Sequence, residues 1–507
     1  MLLLSRTATI PLTIAFLTLA LPGCSAMRSY DGELRQTVDL VAQGNIDQAL
    51  QLQEQNNTNH DNDLLYFLEK GELLRLKNQY NDSVATWLSA DTLVNEWENE
   101  AKIRGGAILD NIGAILLNDK TRRYDGHDYE KVMLSTQLAL NHLLSGHWDL
   151  ARTEIKKTHE REAIIAQYRA QEIDAVEKES RQKGVSTSFK ELNGYPVATL
   201  DSLEVSELKN GYQSAFSHYL AGFVYEALNE PSLAAPGYRQ AIELRPNTQL
   251  LEDGLAGLDR RNSDLNANTT DVLLVIESGA APALSSVTIP IPVFYNNLGV
   301  IPISFPLLHS DPIRTALPHS VSIDAGIPQN VVGITSLDAM AKRALRDDIP
   351  SIMLRGVLRA AVKTASQRAL MRSDNGYVKL AGIALNVMNV ITESADERSW
   401  RTLPSLISIA RFTLPVGKHT FSVMNSNGIT SSESINIDGS HALVAVRTLG
   451  DQTYWSQPIY SGQMPVRVAQ PSQKIETLDG DKSTRITPQA SLNTQTRKNK
   501  TKKKVKK

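Results

Sequence analysis

Three groups of residues have types and spacings that could do chemistry. Arg355, Arg359 and Lys363 recur every four residues through an Ala-rich stretch. Cations spaced that way share one helix face and could hold an anionic ligand, although a solvated or salt-bridged stripe gives the same pattern. In Ala395-Asp396-Glu397-Arg398-Ser399-Trp400-Arg401, a tryptophan stands between two arginines. Arg398, Trp400 and Arg401 could form a stacking platform. They could equally plug a domain junction, with Trp400 buried and the arginines paired to Asp396 and Glu397. The plug is the favoured reading, because a buried Trp beside paired charge is ordinary core architecture. The third residue is Cys24, the single cysteine of 507 residues, which cannot form an internal disulfide.

Catalytic signatures do not assemble. His159-Glu160 begins like the zinc-protease pattern His-Glu-x-x-His, but position 163 is Ala. There is no Gly-x-Ser-x-Gly elbow and no phosphate-binding loop. His309, Asp311 and His319 share a Pro-rich stretch without the compact spacing a metal site needs, so surface polarity explains them better. The expectation is a protein that is not an enzyme and takes no cofactor or metal.

Cys24 has a more specific context. One positive charge at Arg6, an apolar run from Ile10 to Leu21 and Gly23 just before the cysteine make a secretory signal over residues 1–23. The run is shorter than the roughly 20 residues a membrane-spanning helix needs. Leu21-Pro22-Gly23-Cys24 resembles the bacterial lipobox Leu-x-Gly-Cys, with Pro22 a departure from its usual small or β-branched residue. That resemblance implies acylation of Cys24 and attachment to a membrane. Ser25, where Asp would favour inner-membrane retention, implies the outer membrane. Residues 24–31 are then a short tether.

The elements that must carry these residues follow from periodicity. Residues 32–262 read as helices with a period near 34, the length of a tetratricopeptide repeat (TPR). The clearest copy has Gly222, Tyr225, Ala234, Tyr238, Ala241 and Pro246 at the signature places. Gly222 and Ala234 are small where two helices cross, the tyrosines fill the gap between them, and Pro246 ends the second helix. Gly44-Asn45 and Asn81-Asp82 mark weaker copies, and Gly146-His147 with Ala151 marks a further pair. Residues 149–183 read as one long charged helix that projects and packs on a neighbouring element or partner. A TPR-like α-solenoid of this kind presents a concave face suited to an extended peptide or another protein.

After a polar linker at 262–270 the period changes. Strands are expected at 271–277, 287–293, 299–305, 320–323, 405–413, 420–425, 432–437 and 441–448. Helices are expected at 336–346, 350–371 and 377–394. The fold class expected is therefore α+β and multidomain. The TPR-like helical domain would be followed by a β-sandwich-like module over 271–460. In that module strands 271–305 and 405–448 share one sheet system around a helical insertion at 336–394. From 470 to 507 the chain is too polar to bury a core and reads as a disordered tail.

The tail is basic: residues 497–507 hold Arg497 and seven lysines. With that +8 and the +1 of Arg6 set aside, the net charge of −2 leaves −11 on residues 24–496. Export opposes nucleic acid as the partner of the tail. Peptidoglycan or another envelope polyanion fits better.

Several segments in order carry a wider resemblance: Tyr129-Glu130-Lys131-Val132, Ala139 to Leu143, Gly146 to Glu154, the repeat at 215–247, Asp271 to Val275 with Gly279 to Pro282, Arg359 to Lys363, and Ala395 to Pro404. Together they resemble a family of uncharacterised proteobacterial lipoproteins with TPR-like repeats, often encoded near a lipoprotein that activates a penicillin-binding protein. The resemblance implies a lipid-anchored outer-membrane protein facing the periplasm. It would be a scaffold or adaptor for envelope proteins in peptidoglycan synthesis or envelope assembly. The competing expectation is an envelope enzyme or anionic small-ligand binder using Arg355, Arg359, Lys363, Arg398, Trp400 and Arg401.

Overall fold

The computed structural model describes residues 30–57, 63–104, 123–188, 190, 192–263, 268–293, 299–309, 317–371, 394–457 and 465. Cys24 with its signal and most of its tether, Asp311, the helix expected at 377–394 and the basic tail lie outside the described residues. The chain divides into two compact units, 1–467 and 468–507. The second contains none of the described residues.

Four helix hairpins open the chain. They are α1 (Tyr30–Ala42) with α2 (Ile46–Asn56), α3 (Leu64–Leu76) with α4 (Tyr80–Arg104), α5 (Asp128–Leu144) with α6 (Trp148–Lys183), and α9 (Ala215–Ala227) with α10 (Pro231–Leu244). Between the third and fourth stand the one-turn helices α7 (Val197–Leu200) and α8 (Leu203–Ser206), and α11 (Gln249–Ala256) and α12 (Leu258–Ser263) follow. Each hairpin turns the same way. Gly44, Asn78, Gly146 and Asn229 adopt left-handed φ values of 85°, 58°, 75° and 59°. The next backbone N–H then donates to the carbonyl five residues back: Asn45 to Leu40, Gln79 to Leu74, His147 to His142 and Glu230 to Tyr225, at 2.8–3.0 Å. This closes the first helix, and Gly or Asn is the residue type that tolerates it.

Small residues recur on either side of the turns. Thr37, Gly71, Ala139 and Gly222 on the first helices stand twelve positions before Ala49, Ser83, Ala151 and Ala234 on the second, all of them buried, and the Ser83 hydroxyl donates to the Gly71 carbonyl at 2.6 Å. A Cβ added at Gly71 would come within 2.3 Å of Trp87, and one at Gly222 within 2.7 Å of Tyr238. The turn residues lie 34, 68 and 83 positions apart. The last interval departs from the period because α6 runs on for 36 residues.

The strands are β1 (Thr269–Ser278), β2 (Ala283–Val293), β3 (Gly299–His309), β4 (Pro318–Ile323), β5 (Gln329–Asn330), β6 (Val332–Ser336), β7 (Leu406–Pro415), β8 (Gly417–Asn425), β9 (Thr430–Ile437), β10 (His441–Leu449) and β11 (Gln452–Trp455). One sheet has the order β11-β10-β1-β7-β6, with β1 and β10 parallel. A second has the order β5-β4-β8-β9. The sheets face each other through Val272, Leu274, Ile276, Val444 and Val446 on one side and Phe421, Val423, Ile435 and Ile437 on the other. The opposite face of the first sheet, with Leu273, Val275, Ile407, Ile409 and Leu443, enters the same core as Trp87, Leu138, Phe216 and Tyr238 of the hairpins. This double burial is why β1 reads as an unbroken apolar run.

Three expectations need correction. The helical and β halves are not separate domains: all their described residues belong to the first compact unit and share a core. Residues 287–305 do not join the sheet of β7 and β10; β2 and β3 form their own two-stranded ribbon. That ribbon seats on α13 (Leu337–Met371), a single helix that runs through Pro350 without the expected break. The fold is mixed α+β. No helix among the described residues is long and apolar enough to cross a membrane.

Candidate functional site

The most elaborate polar constellation lies where the hairpins meet residues 394–405. Glu69 and Glu72 on α3 and Glu130 and Gln137 on α5 are all buried at this junction. Facing them, segment 394–405 passes without regular structure from residue 394 toward β7. Its backbone is gripped as an extended ligand would be. The Trp400 N–H donates to Glu130 Oε1 at 2.7 Å, and the Arg401 and Thr402 N–H groups donate to the two oxygens of Glu69 at 2.6 and 3.3 Å. His127 Nε2 lies 3.2 Å from the Arg398 carbonyl.

The Trp400 ring is wholly buried, edge-on to Trp87 at 5.8 Å between centroids. Arg398 pairs with Asp396 at 2.7 Å and lies over the Tyr30 and Tyr124 rings. Arg401 stands 3.5 Å from Asp31 of α1. Glu130 also accepts from the Tyr124 hydroxyl at 2.5 Å and the His127 N–H at 2.9 Å. Burial pushes the Glu69 carboxyl up to about 7, against the lowering effect of the Thr402 and Arg401 contacts.

A second layer ties the helices to the sheet. Arg75 makes a two-toothed pair with Glu72 at 2.8 Å and reaches Glu277 of β1 at 2.6 Å, while Gln137 donates to the same Glu277 at 2.6 Å. Arg447 of β10 donates to the carbonyls of Glu277 and Thr402. Burial holds its guanidinium below the usual range, whereas Arg75 rises because Glu277 and Glu72 outweigh its burial.

At the fourth hairpin, Arg411 of β7 bridges Asp271 at 2.6 Å and Glu226 at 2.9 Å and donates to the Tyr238 hydroxyl at 2.9 Å. Both carboxyls are held below their ordinary range because Arg411 overcomes the cost of burial. Glu226, Asp271 and His441 are the one group among the described residues with the donor atoms of a metal site. Arg411 already supplies the positive charge there that a cation would bring.

The sequence-derived site residues fall as follows. Gly222, Ala234, Tyr238 and Ala241 lie in the α9–α10 crossing, Tyr225 stacks against Arg152 of α6, and Pro246 stands just past the end of α10. The supposed anion site does not form as expected. Arg355 turns onto Ser351 at 2.5 Å and lies 3.9 Å from Glu172 of α6, Arg359 is buried, and Lys363 is half-buried. Arg398, Trp400 and Arg401 are engaged inside the protein and present no stacking platform to a ligand. His309 bonds Ser285 across the ribbon and His319 lies on β4 in another sheet, so the two do not share a site. His159 stacks on His218, with ring centroids 5.0 Å apart.

The long helix α6 packs through its charged face. Arg161 is fully buried and holds Asp91 at 2.8 Å, Glu98 at 2.5 Å and Ser135 Oγ at 2.8 Å. Sequence reasoning missed Glu69, Glu72, Arg75, Glu130, Glu277, Arg411 and Arg447. A signal was present: Glu277 ends the run Val272-Leu273-Leu274-Val275-Ile276, and Arg447 ends the run Ala442-Leu443-Val444-Ala445-Val446. A charge in a strand buried on both faces requires a buried partner.

No protein-family model matches this chain, and no curated protein does. Among solved structures, a tetratricopeptide repeat protein from Parabacteroides merdae ATCC 43184 is similar at 11% identity and a TM-score of 0.13, over 45% of this chain and 98% of its own. A likeness of that size says nothing of what this chain does.

Proposed function

We propose that this chain is a non-enzymatic scaffold lipoprotein, attached through Cys24 to the outer membrane and facing the periplasm, whose hairpins are divergent TPR units. The observation that carries the scaffold reading is the grip on segment 394–405. Carboxylates on the first helices hold the backbone N–H groups of Trp400, Arg401 and Thr402. A repeat groove would hold an extended peptide in the same way, and here the peptide belongs to the chain itself. Envelope proteins therefore dock on the outer helices, where Leu88 of α4, Leu150 of α6 and Leu233 of α10 are 43%, 49% and 42% exposed. The resemblance to envelope lipoproteins and the lipobox support the location. The charge of the tail supports a further hold on peptidoglycan or another polyanion.

Two measurements test this. Cys24→Ser should abolish acyl labelling and outer-membrane fractionation; unchanged fractionation refutes the anchor. Photo-crosslinkers at Leu150 and Leu233 should capture a discrete envelope protein in cells, and a crosslinker at Glu69 should not. Capture from Glu69 alone would refute docking on the outer helices.

A further inference from the structure

The β2–β3 ribbon departs from the rest of the chain in composition. Between Glu277 and Asp311 lie 33 residues without Asp, Glu, Lys or Arg, where the chain-wide 21% would place about seven. The ribbon pairs Val293 with Gly299 at its far end and Ala283 with His309 at its near end. Its odd-numbered residues Ile289, Ile291, Ile301, Ile303 and Phe305 are buried in the core shared with α13, where Ile303 packs over Gly356. The near end is tied in, as Ser286 accepts the Ala395 N–H and Pro306 accepts the Tyr195 hydroxyl.

The far half presents its even-numbered face to solvent. Thr288, Pro290, Pro292, Val300 and Pro302 are exposed, Val300 at 66%. Pro290 stands opposite Pro302. A pair of prolines cannot exchange N–H bonds, so the even-numbered pairs are the non-hydrogen-bonded ones, whose N–H groups point away from the ribbon. Of the six outward N–H groups of the far half, at residues 288, 290, 292, 300, 302 and 304, proline removes those at 290, 292 and 302, and Pro306 removes one more toward the near end. Thr288 and Ser304, a polar pair on this same face, satisfy each other at 2.9 Å.

Two costs are thereby lowered together. A β-ribbon leaving water exposes its edge N–H groups and any charge to a medium that cannot solvate them. A protein partner that adds a strand needs those edge donors, so the prolines work against it. We propose that the far half of this ribbon enters the interfacial layer of a lipid bilayer, with Pro290, Pro292, Val300 and Pro302 as the contact face. The inference stands on the ribbon alone and does not require the lipid on Cys24.

The test places a reporter on that face. All five tryptophans of the chain are buried, so a V300W indole is distinguishable from them. The full-length protein and its C24S form would be mixed with phosphatidylethanolamine–phosphatidylglycerol vesicles carrying dibrominated chains. The expected result is a blue shift and quenching from V300W in both forms, none from S434W on the outer face of the second sheet, and loss of both signals when Pro292→Asp is added. Quenching confined to the lipidated form would show an anchored body whose ribbon has no affinity of its own, and would overturn the inference while leaving the anchor intact. A V300W blue shift that grows with protein concentration without vesicles would overturn it too, by giving the face to a second copy of the chain.

Discussion

Replacing Glu69 by Gln tests the junction most sharply, because the expected sign runs against intuition. Glu69 accepts two backbone N–H bonds, and removing such an acceptor ordinarily destabilises. Its carboxyl, however, is fully buried and is pushed up to about 7 from 4.5. The folded protein thus binds a proton at this site more tightly than the unfolded chain. The site contributes its full stability below the unfolded value of 4.5, loses it as pH rises toward about 7, and is flat above that. A shift of that size corresponds to about 3 kcal/mol. Gln removes the ionisation and keeps one oxygen for the Arg401 N–H, but its NH2 cannot accept the longer bond from the Thr402 N–H. The variant should therefore be somewhat less stable than wild type near pH 4.5, by the one N–H bond it loses, and should gain about 3 kcal/mol on wild type between pH 4.5 and pH 8. Urea unfolding of both proteins across that range checks this, since every other titration cancels in the difference. A stability difference that stays constant across the range would show that the N–H groups and Arg401 fully compensate the buried charge, and the reasoning would fail.

Two further changes probe the packing. Gly71→Ala drives a Cβ to 2.3 Å from the Trp87 ring, which itself donates to the Leu68 carbonyl at 3.0 Å; a loss of about 1–3 kcal/mol is expected in denaturant unfolding, and an unchanged midpoint would refute the close crossing. Arg161→Met strands the buried carboxyls of Asp91 and Glu98 and should cost about 3–5 kcal/mol. Because Asp91 is now held low by Arg161 and Lys157 against its burial, that loss should shrink as pH falls and the stranded Asp91 takes up a proton; a pH-independent loss would argue that Lys157 alone suffices.

Legibility in the sequence followed the locality of the physics. The hairpin turns were readable at Gly44 and Gly146 because a left-handed residue has a chemical signature, and the interval from Gly44 to Asn78 preserves the period. The 36 residues of α6 broke that period, and no local signal says how far a polar helix continues once tertiary salt bridges such as Arg161–Asp91 support it. Most strands were readable by alternation, but sheet membership was not: β2 and β3 look like sheet strands, and only the opposed prolines Pro290 and Pro302 forbid a continuous ladder. Pro350 illustrates the converse, since packing of α13 against the ribbon core through Ile349, Ile352 and Met353 outweighs one lost backbone bond. The face of Arg355, Arg359 and Lys363 has the spacing of a binding stripe, yet what meets it is decided by α6, nearly 200 positions earlier.

The distribution of charge at the junction limits how this protein can bind anything. The first helices contribute mostly acceptors, namely Glu69, Glu72, Glu130 and Glu226, and the β half answers with the N–H groups of residues 400–402 and with Arg447 and Arg411. Part of the acidity of the body is therefore turned inward. Freeing the groove for another peptide would separate several buried pairs at once, and stranding one member of such a pair costs about 3–5 kcal/mol. A competing peptide must repay those losses before gaining affinity, which few extended ligands can do. Binding surfaces consistent with the folded body are therefore those that leave the junction closed: the outer helices with Leu88, Leu150 and Leu233, and the uncharged face of the ribbon.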